Sequence, residues 1–275
     1  MKSITEPLRQ LLKAHLGPAE IARLRKAYWK VQRLSTTVRH PRSLRGIGET
    51  FNAGKHLWYY PLYERHFGPL RARRLNLLEI GIGGYDTPVA GGGSLRMWET
   101  YLPRARVAGV DIYNKSPHDS GRVRTFQGSQ ADPDFLRHVV ATIGRPDVII
   151  DDGSHISEHV IASFQVLFPL LADDGIYVIE DTHASYWDTF GGSSDDLSDT
   201  RTTMGFVKQL LDGLHYEDIR SATRAAGEFD SSVVGVHCYH SIVFIEKGSN
   251  VSAIPAGSIT DEGMTKLPRE HVVPS

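Results

Sequence analysis

The stretch LNLLEIGIGGYD, Leu75 to Asp86, decides the fold: a run of large aliphatic residues broken only by Asn76 and Glu79 leads directly into Gly81, Gly83 and Gly84. A short apolar run bounded by glycine reads as a strand buried on both faces, and the glycines as a tight turn at its carboxyl end where main-chain N–H groups can approach a ligand. Outward from this point the pattern repeats. ARVAGVDI, VRTFQG, PDVIIDD and GIYVIED are further strand candidates, with helical stretches near 94–102, 132–143 and 157–172 between them. Such alternation predicts an α/β fold built on a doubly wound, mostly parallel sheet. SVVGVHCYHSIVFIEKG then offers two β-rich runs joined too closely for a crossover helix, so an antiparallel edge is expected.

Upstream, Leu8, Leu11, Leu12, Leu16, Ile21, Leu24, Tyr28, Val31 and Leu34 recur at three- and four-residue steps, interrupted at Gly17-Pro18. Two amphipathic N-terminal helices follow, whose apolar stripe either packs on the domain edge or joins subunits. The expected organisation is an N-terminal helical extension over 1–50, the main domain over 51–248 and a tail over 249–275. Lys and Arg total 31 against 32 Asp and Glu, with no long basic block, which gives no reason to expect nucleic acid or an anionic membrane as partner. Cys238 is the single cysteine, so no intrachain disulfide exists, and a soluble cytoplasmic protein is expected from an N-terminus without a continuous apolar core.

The glycine turn departs from the dinucleotide fingerprint GxGxxG, because Asp86 stands where the last glycine belongs, so a turn of the NAD type is disfavoured. Asp111, at the carboxyl end of the second strand, is suited to accept hydrogen bonds from two ribose hydroxyls. Glu79 is costly as an unpaired core carboxylate, and is expected to orient the glycine loop or receive a cationic ligand group. Ser94 is placed to cap the helix that follows, and Asp132 to cap the next one with Pro133 in its first turn. Gln130 is a candidate contact on the adenine side.

Asp151 and Asp152 close the fourth strand, and Glu180 and Asp181 the fifth, so four carboxylates are expected to converge at the carboxyl edge of the sheet. Like charges gathered there repel unless a cation neutralises them, and an oxygen-rich set selects a hard ion such as Mg²⁺, Mn²⁺ or Ca²⁺, with Mg²⁺ the default. Capping alone would use one acid at each strand end. His155 lies three residues after Asp152, where a bound hydroxyl would lose its proton; His183 is a weaker alternative base and His159 a bystander. The polar stretch DTFGGSSDDLSDT, 188–200, is expected as a connection or a lid. HLWYYPLYERHF, 56–67, with Tyr59 and Tyr63, is expected to help shape an acceptor pocket.

Together LLEIGIGGYDTP, GGGSLRMW, GVDIYNK, IIDDGSH, LFPLL, GIYVIEDTHASYW and IVFIEKG resemble the metal-dependent class I S-adenosylmethionine O-methyltransferases acting on sugars, over roughly residues 55–248. Methylmannose-polysaccharide 1-O-methyltransferases are a related group. The resemblance implies a Rossmann-like class I methyltransferase fold, with Asp152, Glu180 and Asp181 as Mg²⁺ ligands and His155 as general base. It also implies S-adenosylmethionine contacts from the glycine loop with Gly81 and Gly83, from Asp111, and from the segment after the third strand with Gln130; Glu79, Ser94 and Asp151 are further cofactor-side candidates by their own positions. The expected reaction is methyl transfer to a sugar or glycoside hydroxyl by a homo-oligomer. A metal-assisted hydrolase is the alternative: it would use the same acids without needing Asp111 or the glycine turn.

Overall fold

Seven strands lie side by side in the order β3-β2-β1-β4-β5-β7-β6 in the computed structural model, which describes residues 17–219 and 226–251. They are β1 (Asn76–Ile80), β2 (Arg106–Asp111), β3 (Val123–Gln127), β4 (Val148–Asp151), β5 (Ile176–Glu180), β6 (Val233–Tyr239) and β7 (Ile242–Lys247). The first five pair in parallel, and β7 runs antiparallel to both β5 and β6. Every strand expected from the sequence is present, and so is the antiparallel edge.

Register and side-chain alternation decide what each face receives. Successive residues of a strand point to opposite sides. Leu77, Val107, Val148, Ile150, Val178 and Phe244 face one core, which is closed by α2 (Leu44–Phe51), α3 (Tyr59–Phe67) and α4 (Gly93–Tyr101). Leu78, Val110, Ile149, Tyr177 and Ile179 face the other, closed by α5 (Pro133–Ile143), α6 (Ser157–Leu170) and α7 (Thr203–Gly213). Strands covered on both faces need apolar residues throughout, which is why they read as unbroken hydrophobic runs.

The second N-terminal helix, α1 (Pro18–Arg39), exists and continues beyond the expected end near residue 35. Leu8, Leu11, Leu12 and Leu16 lie outside the described residues. The α1 helix meets the domain through polar and aromatic contacts: Arg33 pairs with Glu99 at 2.6 Å, and the Arg96 guanidinium sits 3.9 Å from the centre of the Trp29 ring. Leu24, Val31, Leu34 and Val38 on the same helix are exposed. Beyond β7, Gly248 N–H donates to Ser232 O and Asn250 N–H to Ser231 O, both at 2.9 Å; residues 252–275 lie outside the described set. Among the described residues no helix is long and apolar enough to cross a membrane.

The capping expectation for Ser94 is corrected. Gly92, in the left-handed region, precedes α4, and Ser94 stands inside the helix with its hydroxyl donating to Glu79 Oε2 at 2.8 Å. Neither Asp151 nor Asp152 caps α6, which starts after Ile156 without a side-chain cap. Asp132 does cap α5 as expected, accepting from the N–H groups of Asp134 and Phe135.

Candidate active site

The alternation that sorts the core also sorts the acids. Asp151 pairs with Ile80 and Ile179 and shares their face, whereas Glu79, Asp152 and Glu180 belong to the opposite one. The four acids at the strand ends therefore do not converge on one point. Asp151 is buried among its own partners, accepting from Ser163 Oγ at 2.6 Å and from Gln130 Nε2 at 3.2 Å. Burial raises its pKa to about 6, even though these donors favour the charged form. Gln130 in turn accepts from Ser154 N–H at 2.7 Å, so it ties the segment after β3 to the turn after β4.

On the other face Glu79, Asp152 and Glu180 surround a cation supplied by the chain itself. Lys55, on the connection between α2 and α3, places its Nζ 3.1 Å from Glu79 Oε1, 2.7 Å from Asp152 Oδ2 and 2.6 Å from Glu180 Oε1, with its side chain 1% exposed. Burial would lower the pKa of this ammonium, but the charges of Asp152, Glu180 and Glu79 outweigh it and hold it well above the ordinary value. Glu79 also accepts from Ser94 and from Trp98 Nε1, at 2.8 and 3.2 Å. Its pKa is raised because burial exceeds the pull of Lys55. Glu180 is raised too, by burial and then by the charge of Asp152. Tyr63 Oη donates to Glu180 Oε1 at 2.5 Å; this contact and that of Lys55 both fall on one oxygen and leave Oε2 engaged by neither.

Asp152, His155 and Asp181 form the part of the site open to solvent. One ligand-type atom from each lies within 4.8 Å of the others, and their side chains are 27%, 24% and 24% exposed. His155 Nε2 is 3.7 Å from Asp181 Oδ2. Tyr59 Oη donates to Asp181 Oδ1 at 2.7 Å, which fixes that carboxylate and leaves Oδ2 toward His155. Both His155 (φ 58°) and Asp181 (φ 53°) adopt the left-handed conformation, a costly state for residues with a Cβ that is concentrated at functional sites. His159 accompanies Ser154 Oγ at 3.0 Å and His183 accompanies Ser241 Oγ at 3.1 Å.

The glycine turn meets the acids from the β1 side. At Gly81 (φ 90°) a Cβ would stand 1.9 Å from Asp152 O, so this glycine is what allows the two turns to touch. At Gly83 (φ 73°) a Cβ would meet nothing within 4 Å: here the missing side chain leaves the backbone accessible from outside. Asp111 accepts from Ile82 N–H at 3.0 Å and Tyr113 N–H at 2.9 Å, one bond on each oxygen. A carboxylate oxygen has two acceptor positions, so capacity for two ribose hydroxyls remains.

Around Asp181 lies an aromatic rim. His56 stacks on Trp58 with centroids 4.3 Å apart, Trp58 stacks on His240 at 5.3 Å, and Phe190 lies 6.4 Å from the His155 ring. The segment 188–200 thus begins beside the candidate base. Tyr63 is fully buried and unavailable to an acceptor, which corrects the expectation for that residue. Sequence reading missed Lys55; the signal for it was the excess of acids itself, whose neutralising charge was sought only in a metal.

The donor chemistry of the site fits a divalent cation of the magnesium type. Asp152 and Asp181 offer carboxylate oxygens toward solvent, and Glu180 Oε2 is engaged by neither Lys55 nor Tyr63.

No family model matches the chain. Among curated proteins, the 8-demethyl-8-alpha-L-rhamnosyl tetracenomycin-C 2'-O-methyltransferase of Streptomyces olivaceus is 50% identical over 193 residues, 70% of this chain and 50% of that protein. The mycinamicin VI 2''-O-methyltransferase of Micromonospora griseorubida is 45% identical over 194 residues, 70% of this chain and 49% of that protein. The chain therefore spans about half the length of the curated relatives it matches. The solved structure of the MycE methyltransferase from the mycinamycin biosynthetic pathway, in complex with Mg, SAH and mycinamycin VI, superposes with a TM-score of 0.76 at 39% identity, covering 81% of this chain and 58% of that one. Over the shared region, by sequence identity and by fold, the chain is similar to S-adenosylmethionine-dependent sugar O-methyltransferases.

Proposed function

We propose that the chain transfers a methyl group from S-adenosylmethionine to a hydroxyl of a sugar or glycoside, with Asp152, Glu180 and Asp181 holding Mg²⁺ and His155 acting as general base. One observation carries this reading: the open turn at Gly83, the ribose-type acceptor Asp111 and the solvent-facing group Asp152–His155–Asp181 share the carboxyl edge of one sheet. A divalent cation there would supply the positive charge that makes a sugar hydroxyl more acidic near neutral pH.

The chain's own residues do the rest. Asp111 and the glycine turn hold the nucleoside, and Gln130 and Asp151 brace the turn beneath it. Tyr59 fixes Asp181, and Asp181 orients the imidazole of His155, which takes the acceptor proton as the oxygen attacks the sulfonium methyl, whose S–C bond breaks to release S-adenosylhomocysteine. His56, Trp58 and Trp187 offer exposed aromatic faces of the kind that carry a sugar ring. The relatives named for rhamnosyl tetracenomycin and mycinamicin VI support a glycosylated polyketide as acceptor class. The same reading takes 51–248 as the catalytic unit and includes a cytoplasmic homo-oligomer, for which the exposed Leu24, Val31, Leu34 and Val38 of α1 offer a contact stripe.

The test is transfer of labelled methyl from S-adenosylmethionine to a panel of free sugars, methylated mannosides and glycosylated polyketides, with and without EDTA. Transfer abolished by chelation and restored by Mg²⁺ is expected; activity indifferent to thorough chelation would remove the metal from the reading. A hydrolase would use the same acids without binding S-adenosylmethionine or S-adenosylhomocysteine, and calorimetry with both nucleosides separates the two.

A further inference from the structure

At the outer edge of the sheet, away from Asp152 and Asp181, three side chains with metal-ligand chemistry meet. His237 pairs with Phe244 across β6 and β7, and Gly235 pairs with Glu246, so His237 and Glu246 are diagonal neighbours on the face that α3 covers. His66, in the last turn of α3, lies flat on Phe244 with ring centroids 4.2 Å apart and planes 14° from parallel. Its Nδ1 is 3.8 Å from Glu246 Oε1, His237 Nε2 is 3.2 Å from the same oxygen, and the three ligand atoms all lie within 4.8 Å of one another.

Three details distinguish this cluster from a chance surface contact. The other ring nitrogen of His66, Nε2, lies 3.1 Å from Tyr239 Oη. With that N–H donated to the phenol oxygen, the Nδ1 lone pair faces Glu246, the arrangement by which metal-ligating histidines are oriented. His237 Nε2 is shielded from solvent and forms no hydrogen bond among the described residues, despite its closeness to Glu246. A ring nitrogen left in this state is costly unless something else engages it. Finally, a Cβ on Gly235 would stand 3.2 Å from Glu246 Oε2 and 3.3 Å from His237 Nε2, so the glycine keeps the space between these two groups clear.

We propose that His66, His237 and Glu246 form a Zn²⁺ site with an open fourth position, separate from the acids of the candidate active site. Bonds of about 2.0–2.1 Å in a tetrahedral shell set neighbouring donor atoms about 3.3 Å apart, and the separations of 3.2 and 3.8 Å bracket that value. Two imidazoles with one carboxylate suit Zn²⁺, whereas Mg²⁺ prefers an octahedron of oxygens. An ion here ties the end of α3 to the outer two strands.

The test titrates Zn²⁺ into the full chain by calorimetry in excess Mg²⁺, comparing the unaltered protein with His237→Gln, Glu246→Gln and Asp181→Asn. One Zn²⁺ per chain is expected in the unaltered protein and in Asp181→Asn, with affinity reduced at least about tenfold in the other two variants. No Zn²⁺ binding, affinity equal in all four proteins, or a loss confined to Asp181→Asn overturns the proposal. Should a variant fail to fold, Co²⁺ bound to the unaltered protein decides: intense visible bands of a low-coordinate ion support the site, and the weak spectrum of a six-coordinate ion overturns it.

Discussion

Replacing Lys55 by methionine removes one positive charge from the centre of three carboxylates while keeping an apolar chain of nearly the same length. Lys55 Nζ stands within 3.1 Å of Glu79, Asp152 and Glu180, and its side chain is 1% exposed. Removing one partner of a buried ion pair costs about 3–5 kcal/mol, because the remaining charge is left uncompensated. Glu79 keeps Ser94 and Trp98 as donors, so the burden falls on Glu180, which keeps Tyr63. Urea unfolding at pH 8 should show Lys55→Met destabilised by about 3–5 kcal/mol, a large part of a typical domain's stability. The loss should shrink as the pH falls. Glu79 and Glu180 already titrate above their ordinary range, and a carboxyl raised in the folded state contributes stability at low pH that disappears as the pH rises through its folded value. Without Lys55 both rise further, steepening the dependence by up to about 1.4 kcal/mol per pH unit for each additional proton held. A loss below about 1 kcal/mol at pH 8, or one equal at pH 5 and pH 8, would refute the assignment of Lys55 as the neutralising charge.

Burial, opposed by a hydrogen bond to Ala90 O, lowers the His118 pKa from 6.5 to about 4, so its contribution to stability is present above pH 6.5 and lost as the pH falls toward 4. His118→Gln should flatten the fall in unfolding free energy across that interval by up to about 3 kcal/mol, measured by urea titrations at several pH values. Asp151, raised to about 6, has the opposite sign over nearly the same range, so only the difference between variant and parent isolates His118. Gly81→Ala should cost about 2–4 kcal/mol in the same assay, from positive φ and from a Cβ set against Asp152 O, whereas Gly83→Ala should cost about 1 kcal/mol and chiefly weaken S-adenosylmethionine binding. Similar effects at both glycines would contradict the geometry of the turn. His155→Ala should depress turnover while sparing cofactor affinity in calorimetry; parallel loss of both would mark a structural histidine.

The central strands were legible because they are buried on both faces, so hydrophobic continuity from Leu75 to Ile80 or from Val148 to Ile150 has no other economical explanation. The paired acids were legible for the converse reason: charge at a buried strand end demands a purpose. Two kinds of feature escaped. Lys55 meets Asp152 across 97 positions of sequence, and nothing local to NAGKHLW announces that its ammonium is interior. The start of α4 is set by Gly92 in a left-handed conformation, so Ser94, an ordinary capping residue by composition, was free to serve Glu79 instead. The division between Asp151 and Asp152 was implicit in strand alternation, but it became explicit only with the register of β4 against β1 and β5.

Helix α3 presents Tyr59, Tyr63 and His66 at steps of four and three, so a single stripe touches Asp181, Glu180 and Glu246 in turn. One residue inserted within the helix would rotate everything beyond it by about 100°. Placed between Tyr59 and Tyr63, it would cost the contact with Glu180 at the end of β5 and the contact with Glu246 at the sheet rim together. Tolerance of length change is accordingly uneven around the pocket: the surface segment 188–200 can be lengthened or exchanged, whereas α3 has a fixed frame. On the proposed function, redesign of acceptor choice has room in that segment and at the exposed His56 and Trp58, and none along the helix that measures out the acids.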